Sequence, residues 1–210
     1  MVLELESALV GSEELLKAME GDTETLGVDR GEMSASPSYL FNPSALTPLI
    51  VGNLPVGLKV RPLHIDDYDK GFLQVLSQLT SVGDVTRSVW EERFRTMQQT
   101  RPSSYYVCVV EDLNSGRVVG SATLVLEWKF IHGGGSRGRV EDVVVDEGQR
   151  GKKLGVTLNR ILANLAKELG VYKVSLECKD KLISFYEQFG YKKDLGNNFL
   201  VQRFDGQSKI

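Results

Sequence analysis

Apolar positions recur with two different periods in this chain, and the sharpest change between them falls within residues 139–170. Val140, Val143, Val144 and Val145 put four valines into six residues, which predicts a strand over 139–145. Leu154, Leu158, Ile161, Leu162, Leu165 and Leu169 then recur at three- and four-residue spacing, predicting a helix that Gly170 closes. Upstream, 58–62 reads as a first strand. A helix capped by Asp66 or Asp67 follows, with Tyr68, Phe72, Val75 or Leu76, and Leu79 on its apolar face; residues 80–83 end it. A second helix fits 88–99, carrying Trp90, Phe94 and Met97 on one side. The turn Asn114-Ser115-Gly116 separates two antiparallel strands, 105–112 and 117–128, and a glycine-rich basic loop over 131–138 leads into the valine strand.

Downstream of the central helix, Tyr172, Val174, Leu176 and Cys178 alternate with Lys173, Ser175 and Glu177, the pattern of a strand with one apolar face. Leu182, Phe185, Tyr186 and Phe189 predict a short helix ending at Gly190, and 199–204 predicts a closing strand. Residues 1–54 differ in composition, Glu-rich and then Ser/Pro/Gly-rich, and read as a mobile N-terminal extension ahead of one folded domain over 55–210. Within that extension 39–41 and 46–51 are apolar enough to dock.

The turn between the valine strand and its helix holds Arg150, Gly151, Lys152 and Lys153, where the unpaired N–H groups and the positive end of the helix dipole point outward. Such a loop suits an anion, most simply a phosphate or pyrophosphate. The plain alternative is a strand-to-helix turn with solvated lysines, and the loop is neither a P-loop nor a dinucleotide fingerprint.

Charge narrows the choice. The 210-residue chain is 41% hydrophobic and 25% charged with a net charge of -3, which fits one soluble domain and argues against a nucleic-acid binder. Cys108 and Cys178 sit in apolar strand-like runs, so both are expected reduced and buried, with no disulfide framework and no metal site. No apolar run approaches a membrane span and the acidic start lacks the features of a signal peptide, so the expected compartment is the cytoplasm.

Strand, anion loop, helix, strand and a short tyrosine-bearing helix, in that order, resemble the GNAT acyltransferase superfamily. Its pyrophosphate loop is R/Q-x-x-G-x-G/A; Arg150-Gly151-Lys152-Lys153-Leu154-Gly155 matches the first and last positions and has Lys153 in place of the internal glycine. The runs Lys129-Phe130-Ile131-His132, Gly138 to Val145, and Tyr172 to Cys178, with Phe185-Tyr186 and Phe189-Gly190-Tyr191 beyond, resemble the glucosamine 6-phosphate N-acetyltransferase family over about 58–204. Leu182 departs from that family's asparagine near acetyl-CoA, which removes one hydrogen bond to the co-substrate.

The resemblance implies an α/β GNAT fold: a mixed central sheet with splayed parallel strands, flanked by helices. It implies an acetyl-CoA-dependent N-acetyltransferase acting on the amine of D-glucosamine 6-phosphate, on the way to UDP-N-acetylglucosamine, working as a homodimer with shared sites and without a metal. Acetyl-CoA is then met by Asp142, Val143, Val144 and Val145 and by Arg150, Gly151, Lys152, Lys153, Leu154 and Gly155, with a strand bulge near Val143 freeing an N–H for the oxyanion. Glu177 matches the acidic residue at the sugar amine, Tyr186 the tyrosine beside the sulfur, and Glu141 with Asp142 the acidic pair of the site. Thr80, Lys129, Phe130, Ile131, His132 and Arg203 match positions around the sugar and its phosphate. In a regular strand Glu141 and Asp142 face opposite sides and cannot share one position.

Two other functions stand beside this one: an acetyltransferase for a protein amine, and a non-catalytic acyl-CoA-binding module. The cations Lys129, His132 and Arg203 speak against the first, and the presence of Glu177 and Tyr186 against the second.

Overall fold

A computed structural model describes residues 38–204. Five strands form one mixed sheet in the order β1-β2-β3-β4-β5: β1 Leu58–Pro62, β2 Tyr105–Asp112, β3 Arg117–Trp128, β4 Ser136–Val145 and β5 Val174–Ser175. The first four pair antiparallel, and β5 joins β4 in parallel. The helices are α1 Pro48–Val51, α2 Phe72–Ser77, α3 Arg87–Gln98, a single turn α4 Ile131–Gly134, α5 Leu154–Glu168 and α6 Ile183–Glu187.

Helix α5 follows from its leucine stripe: Leu154, Leu158, Ile161, Leu162 and Leu165 are all buried, and Gly170 follows the last turn with φ +68°. It lies against β3 and β4. Thr123, Val125 and Glu141 point into a cavity walled by α2 and α3, while Leu124, Leu126 and Val140, on the opposite side of the same strands, are buried. The sheet is therefore covered on both faces.

Five expectations need correction. Asp67 does not cap the helix over the apolar face; it sits in a 3-10 turn, Ile65–Tyr68, where His64 and Asp67 form a reciprocal cap, and α2 begins only after Gly71 at φ +90°. Its carboxylate holds the buried guanidinium of Arg61 at 2.7 and 2.8 Å and accepts the His64 N–H at 2.8 Å. The strand expected over 172–178 is two residues long, because pairing stops at Ser175. Cys178 beyond it is exposed, whereas Cys108 is fully buried, its thiol pushed up to about 12 by burial.

The other two concern the chain ends. The domain does not begin at 55: Leu40, Phe41 and Ile50 are buried in the core, Leu40 N–H bonds Leu63 O at 2.8 Å, and Phe41 meets Tyr106 with ring centroids 5.0 Å apart. Arg160 and Asn164 of α5 donate to Val51 O and Ile50 O, so residues 38–54 clasp the same helix that carries the anion loop. The mobility expected of 1–37 lies outside the described residues. At the other end, 191–204 contains no strand, and Phe199, Leu200, Val201 and Phe204 are exposed. An isolated segment has no ladder to join, and a strand exists only where another edge pairs with it.

Candidate active site

The site is made by a break in the sheet. Ser121 pairs with Val144 and Thr123 with Glu141, so the single residue Ala122 faces both Asp142 and Val143. Asp142 takes the extra position at φ +51°, a conformation in which aspartate is among the better-tolerated side chains. The parallel β4–β5 ladder comprises Gly138 with Val174 and Arg139 with Ser175, and then stops. From that point the two strands split: the bulged part of β4 lines one cavity through Glu141 and Asp142, and the segment Ser175, Leu176, Glu177 and Cys178 lines another.

The bulge changes the reading of the acidic pair. Alternation would send Glu141 and Asp142 to opposite faces, yet both line one cavity of about 500 Å³, together with Thr80 and Arg93. The extra residue breaks the period of two. Burial first, and then the charge of Glu141, raises the Asp142 carboxyl above its ordinary range.

On the far side, Glu177, Cys178, Tyr186 and Tyr191 share a second cleft of about 730 Å³. Burial, and then the Cys178 side chain, pushes the Tyr186 phenol upward, so it is protonated at neutral pH and can give a proton. The Tyr191 hydroxyl is buried without a hydrogen-bond partner among the described residues, and burial raises it to about 12. No site role had been expected of Tyr191; its only sequence signal is the aromatic run Phe189-Gly190-Tyr191.

Arg139 ties the two sides together. Its guanidinium reaches Glu141 at 2.8 Å and Glu177 at 2.5 Å, bridging the mouth of the split. Both the guanidinium and its two partners are partly exposed. The Glu141 hydrogen bond, and then, against a burial cost, that of Glu177, raises its pKa further. This residue too had escaped notice. The spacing Arg139-x-Glu141 puts the two on one strand face, but the partner Glu177 depends on a register that no local pattern reports.

The anion loop keeps its expected place. Gly151 has φ +85° with open space where a Cβ would stand, and Lys153 adopts φ +57° as the residue before α5. A left-handed conformation that glycine adopts freely is thus held here by lysine, at a strain of about 1–2 kcal/mol. Thr157 N–H is the first to bond back to Lys153 O, which leaves the N–H groups of the first turn without helical partners. Arg150, Lys152 and Lys153 are exposed around them. Leu154 and Val144 are buried, so only their backbone can meet a ligand. At Gly155 an added Cβ would lie 3.7 Å from Phe185, so this glycine faces α6. These residues suit the diphosphate of a coenzyme A thioester.

Among the described residues the expected phosphate ligands meet other side chains or solvent. Lys129 lies 2.6 Å from Glu127; His132, at φ +53° in α4, stacks against Tyr172 with centroids 4.2 Å apart. Phe130 and Ile131 are exposed. Arg203 lies in the exposed, strandless tail and makes no ion pair among the described residues. Among the same residues no cluster of His, Cys, Asp or Glu could hold a metal ion, and no helix is long and apolar enough to cross a membrane.

A sheet split beside a bulge, with an anion-binding helix start at one end and carboxylates at the other, defines an acyltransferase of the GNAT type. Residues 72–191 match the acetyltransferase (GNAT) family model, and the chain belongs to that family. Within it, the chain is 45% identical over 183 residues to a Drosophila melanogaster protein named "Probable glucosamine 6-phosphate N-acetyltransferase", covering 80% of this chain and 83% of that one. The Candida albicans glucosamine 6-phosphate N-acetyltransferase is 38% identical over 151 residues, covering 72% and 99% of the two chains. The crystal structure of the Arabidopsis thaliana glucosamine-6-phosphate N-acetyltransferase superposes with a TM-score of 0.65 at 34% identity, over 71% of this chain and 99% of that one. The chain is a member of the glucosamine 6-phosphate N-acetyltransferase family.

Proposed function

We propose that this enzyme transfers the acetyl group of acetyl-CoA to the amine of D-glucosamine 6-phosphate by direct attack in a ternary complex. The observation that carries the mechanism is the split of β4 from β5 after Arg139 and Ser175, ahead of the Asp142–Val143 bulge, with Glu177 and Tyr186 on its far side. The diphosphate of acetyl-CoA is held at the start of α5 by Arg150, Lys152, Lys153 and the free N–H groups, and its thioester runs into the split. A backbone N–H freed at the bulge donates to the carbonyl oxygen as charge develops there. Loss of one proton to solvent gives the neutral amine, held beside Glu177. Its nitrogen attacks the thioester carbon, a C–N bond forms and the C–S bond breaks. Tyr186 gives its proton to the departing sulfur, and the proton shed by the acylated nitrogen restores the balance.

Thr80, Glu141 and Asp142 line the acceptor end, while Lys129, His132 and Arg203 serve the sugar phosphate. The test is a thiol-release assay with amino sugars and their phosphates. Glucosamine 6-phosphate should exceed glucosamine in kcat/KM by at least tenfold, since only the phosphate offers these cations charge-assisted hydrogen bonds from the acceptor; equal values would overturn the acceptor assignment.

The working form is a two-fold dimer in which Arg203 reaches the partner's site. The support is the exposed apolar run from Phe199 to Phe204, which would gain a ladder by pairing across identical chains. Mixing the inactive variants Glu177→Ala and Arg203→Ala under subunit exchange should restore activity, because each mixed dimer then holds one intact site. A mixture that stays inactive would place Arg203 within its own chain. The product would feed synthesis of UDP-N-acetylglucosamine. The two free cysteines suit the reducing cytoplasm, which a fluorescent fusion would check.

A further inference from the structure

We infer that Arg137 is a further binding residue for the acceptor phosphate, and that Glu127 is the positioning residue that presents it together with Lys129. This rests on the acceptor proposed above.

Arg137 and Glu127 face each other across the β3–β4 ladder. The guanidinium binds the carboxylate in a fork, Nε to Oε2 at 2.9 Å and Nη2 to Oε1 at 3.0 Å, and the Lys129 ammonium shares Oε2 at 2.6 Å. Hydrogen bonds from Arg137, and then from Lys129, hold the Glu127 carboxyl down at about 2. Two cations thus share one carboxylate that stays ionised, and one positive charge is left over. The fork uses two of the five N–H donors of Arg137, and Lys129 spends one of three. The remaining donors are pinned in direction and partly exposed to solvent, the condition in which a phosphate can be met without first ordering two long side chains.

The same strand carries the opposite arrangement next to it. Arg137, Arg139 and Glu141 occupy one face of β4, about 7 Å apart from one to the next. At Arg139 one cation serves two carboxylates, Glu141 and Glu177, and one negative charge is left over. A net positive group at the hairpin end and a net negative group beside the bulge match a molecule with a dianion at one end and an ammonium at the other. They also set its direction: phosphate toward Lys129 and Arg137, amine toward Glu177 and the split.

The test compares wild type, Arg137→Met and Arg137→Lys with glucosamine 6-phosphate and with glucosamine, at saturating acetyl-CoA. Arg137→Met should raise KM for glucosamine 6-phosphate by roughly tenfold or more, leave kcat within about threefold and leave kcat/KM for glucosamine unchanged. Arg137→Lys, which keeps the charge and loses the fork, should recover part of the difference. A purely structural role would lower both acceptors alike, and that result, or an unchanged KM for the phosphate, overturns the inference while the acceptor assignment stands. If wild type itself does not discriminate between the two sugars, the acceptor assignment fails and takes this inference with it.

Discussion

Replacing Tyr186 by phenylalanine lowers kcat by about a hundredfold or more while leaving acetyl-CoA affinity within a few-fold. The ring stays, so its contacts with Phe185 at 5.0 Å and Tyr191 at 6.0 Å between centroids are kept, and only the proton is lost. Burial holds the phenol protonated, which makes it a donor to a thiolate and not a base toward the amine. The loss should therefore appear in kcat and kcat/KM together, the pattern of an interaction made as the C–S bond breaks. Single-turnover rates and acetyl-CoA binding by calorimetry separate the two effects. An unchanged single-turnover rate would make Tyr186 a packing residue and leave the thiolate to be protonated by water.

Asp67→Ala destabilises the fold by about 3–5 kcal/mol, the usual cost of stranding a buried charge. Asp67 is 0% exposed and Arg61 5% exposed. Removing the carboxylate leaves the guanidinium with Glu111, at 2.8 Å, and also leaves the His64 N–H without its acceptor. Replacing both members, Asp67→Leu with Arg61→Met, should cost less than the single change, because the fully buried carboxylate and its guanidinium go together and Glu111 keeps Lys70 at 3.4 Å. Urea denaturation of the three variants measures this, and a single variant within 1 kcal/mol of wild type would contradict it. Glu111 adds a pH dependence. The Arg61 hydrogen bond, against a burial cost, lowers its carboxyl below the unfolded value. Its contribution is thus present above the unfolded pKa and is lost as pH falls through the folded one.

Periodic elements were legible in the sequence because their cause is local. The leucine spacing of α5, the hairpin around Asn114-Ser115-Gly116 and the valines of β4 each required one segment only. What escaped depends on two segments at once. The bulge near Val143 came from the family resemblance and not from the local pattern, and it is Asp142 at positive φ that lets Glu141 and Asp142 share a cavity, against simple alternation. Arg137 and Arg139 look like surface charge until the ladder places Glu127 opposite one and the departing β5 segment brings Glu177 to the other. Cys178 was expected buried from its alternation with Glu177, but the split ends the ladder before either residue can join it.

The N-terminal clasp was half legible: Ser/Pro/Gly composition argued for a mobile segment up to 54, while the apolar runs 39–41 and 46–51 argued for docking, and Leu40, Phe41 and Ile50 do anchor 38–54 to the core. For the closing strand over 199–204, apolar content was legible but the partner was not, since pairing is a property of two edges.

The most direct measurement is a competition in one vessel: enzyme and acetyl-CoA with equal concentrations of glucosamine 6-phosphate, glucosamine and a lysine peptide, the products resolved by mass spectrometry. The expected spectrum is dominated by N-acetylglucosamine 6-phosphate, formed in step with free CoA. Acetyl-lysine as the main product, or equal acetylation of the two sugars, would contradict an amino-sugar phosphate as the acceptor.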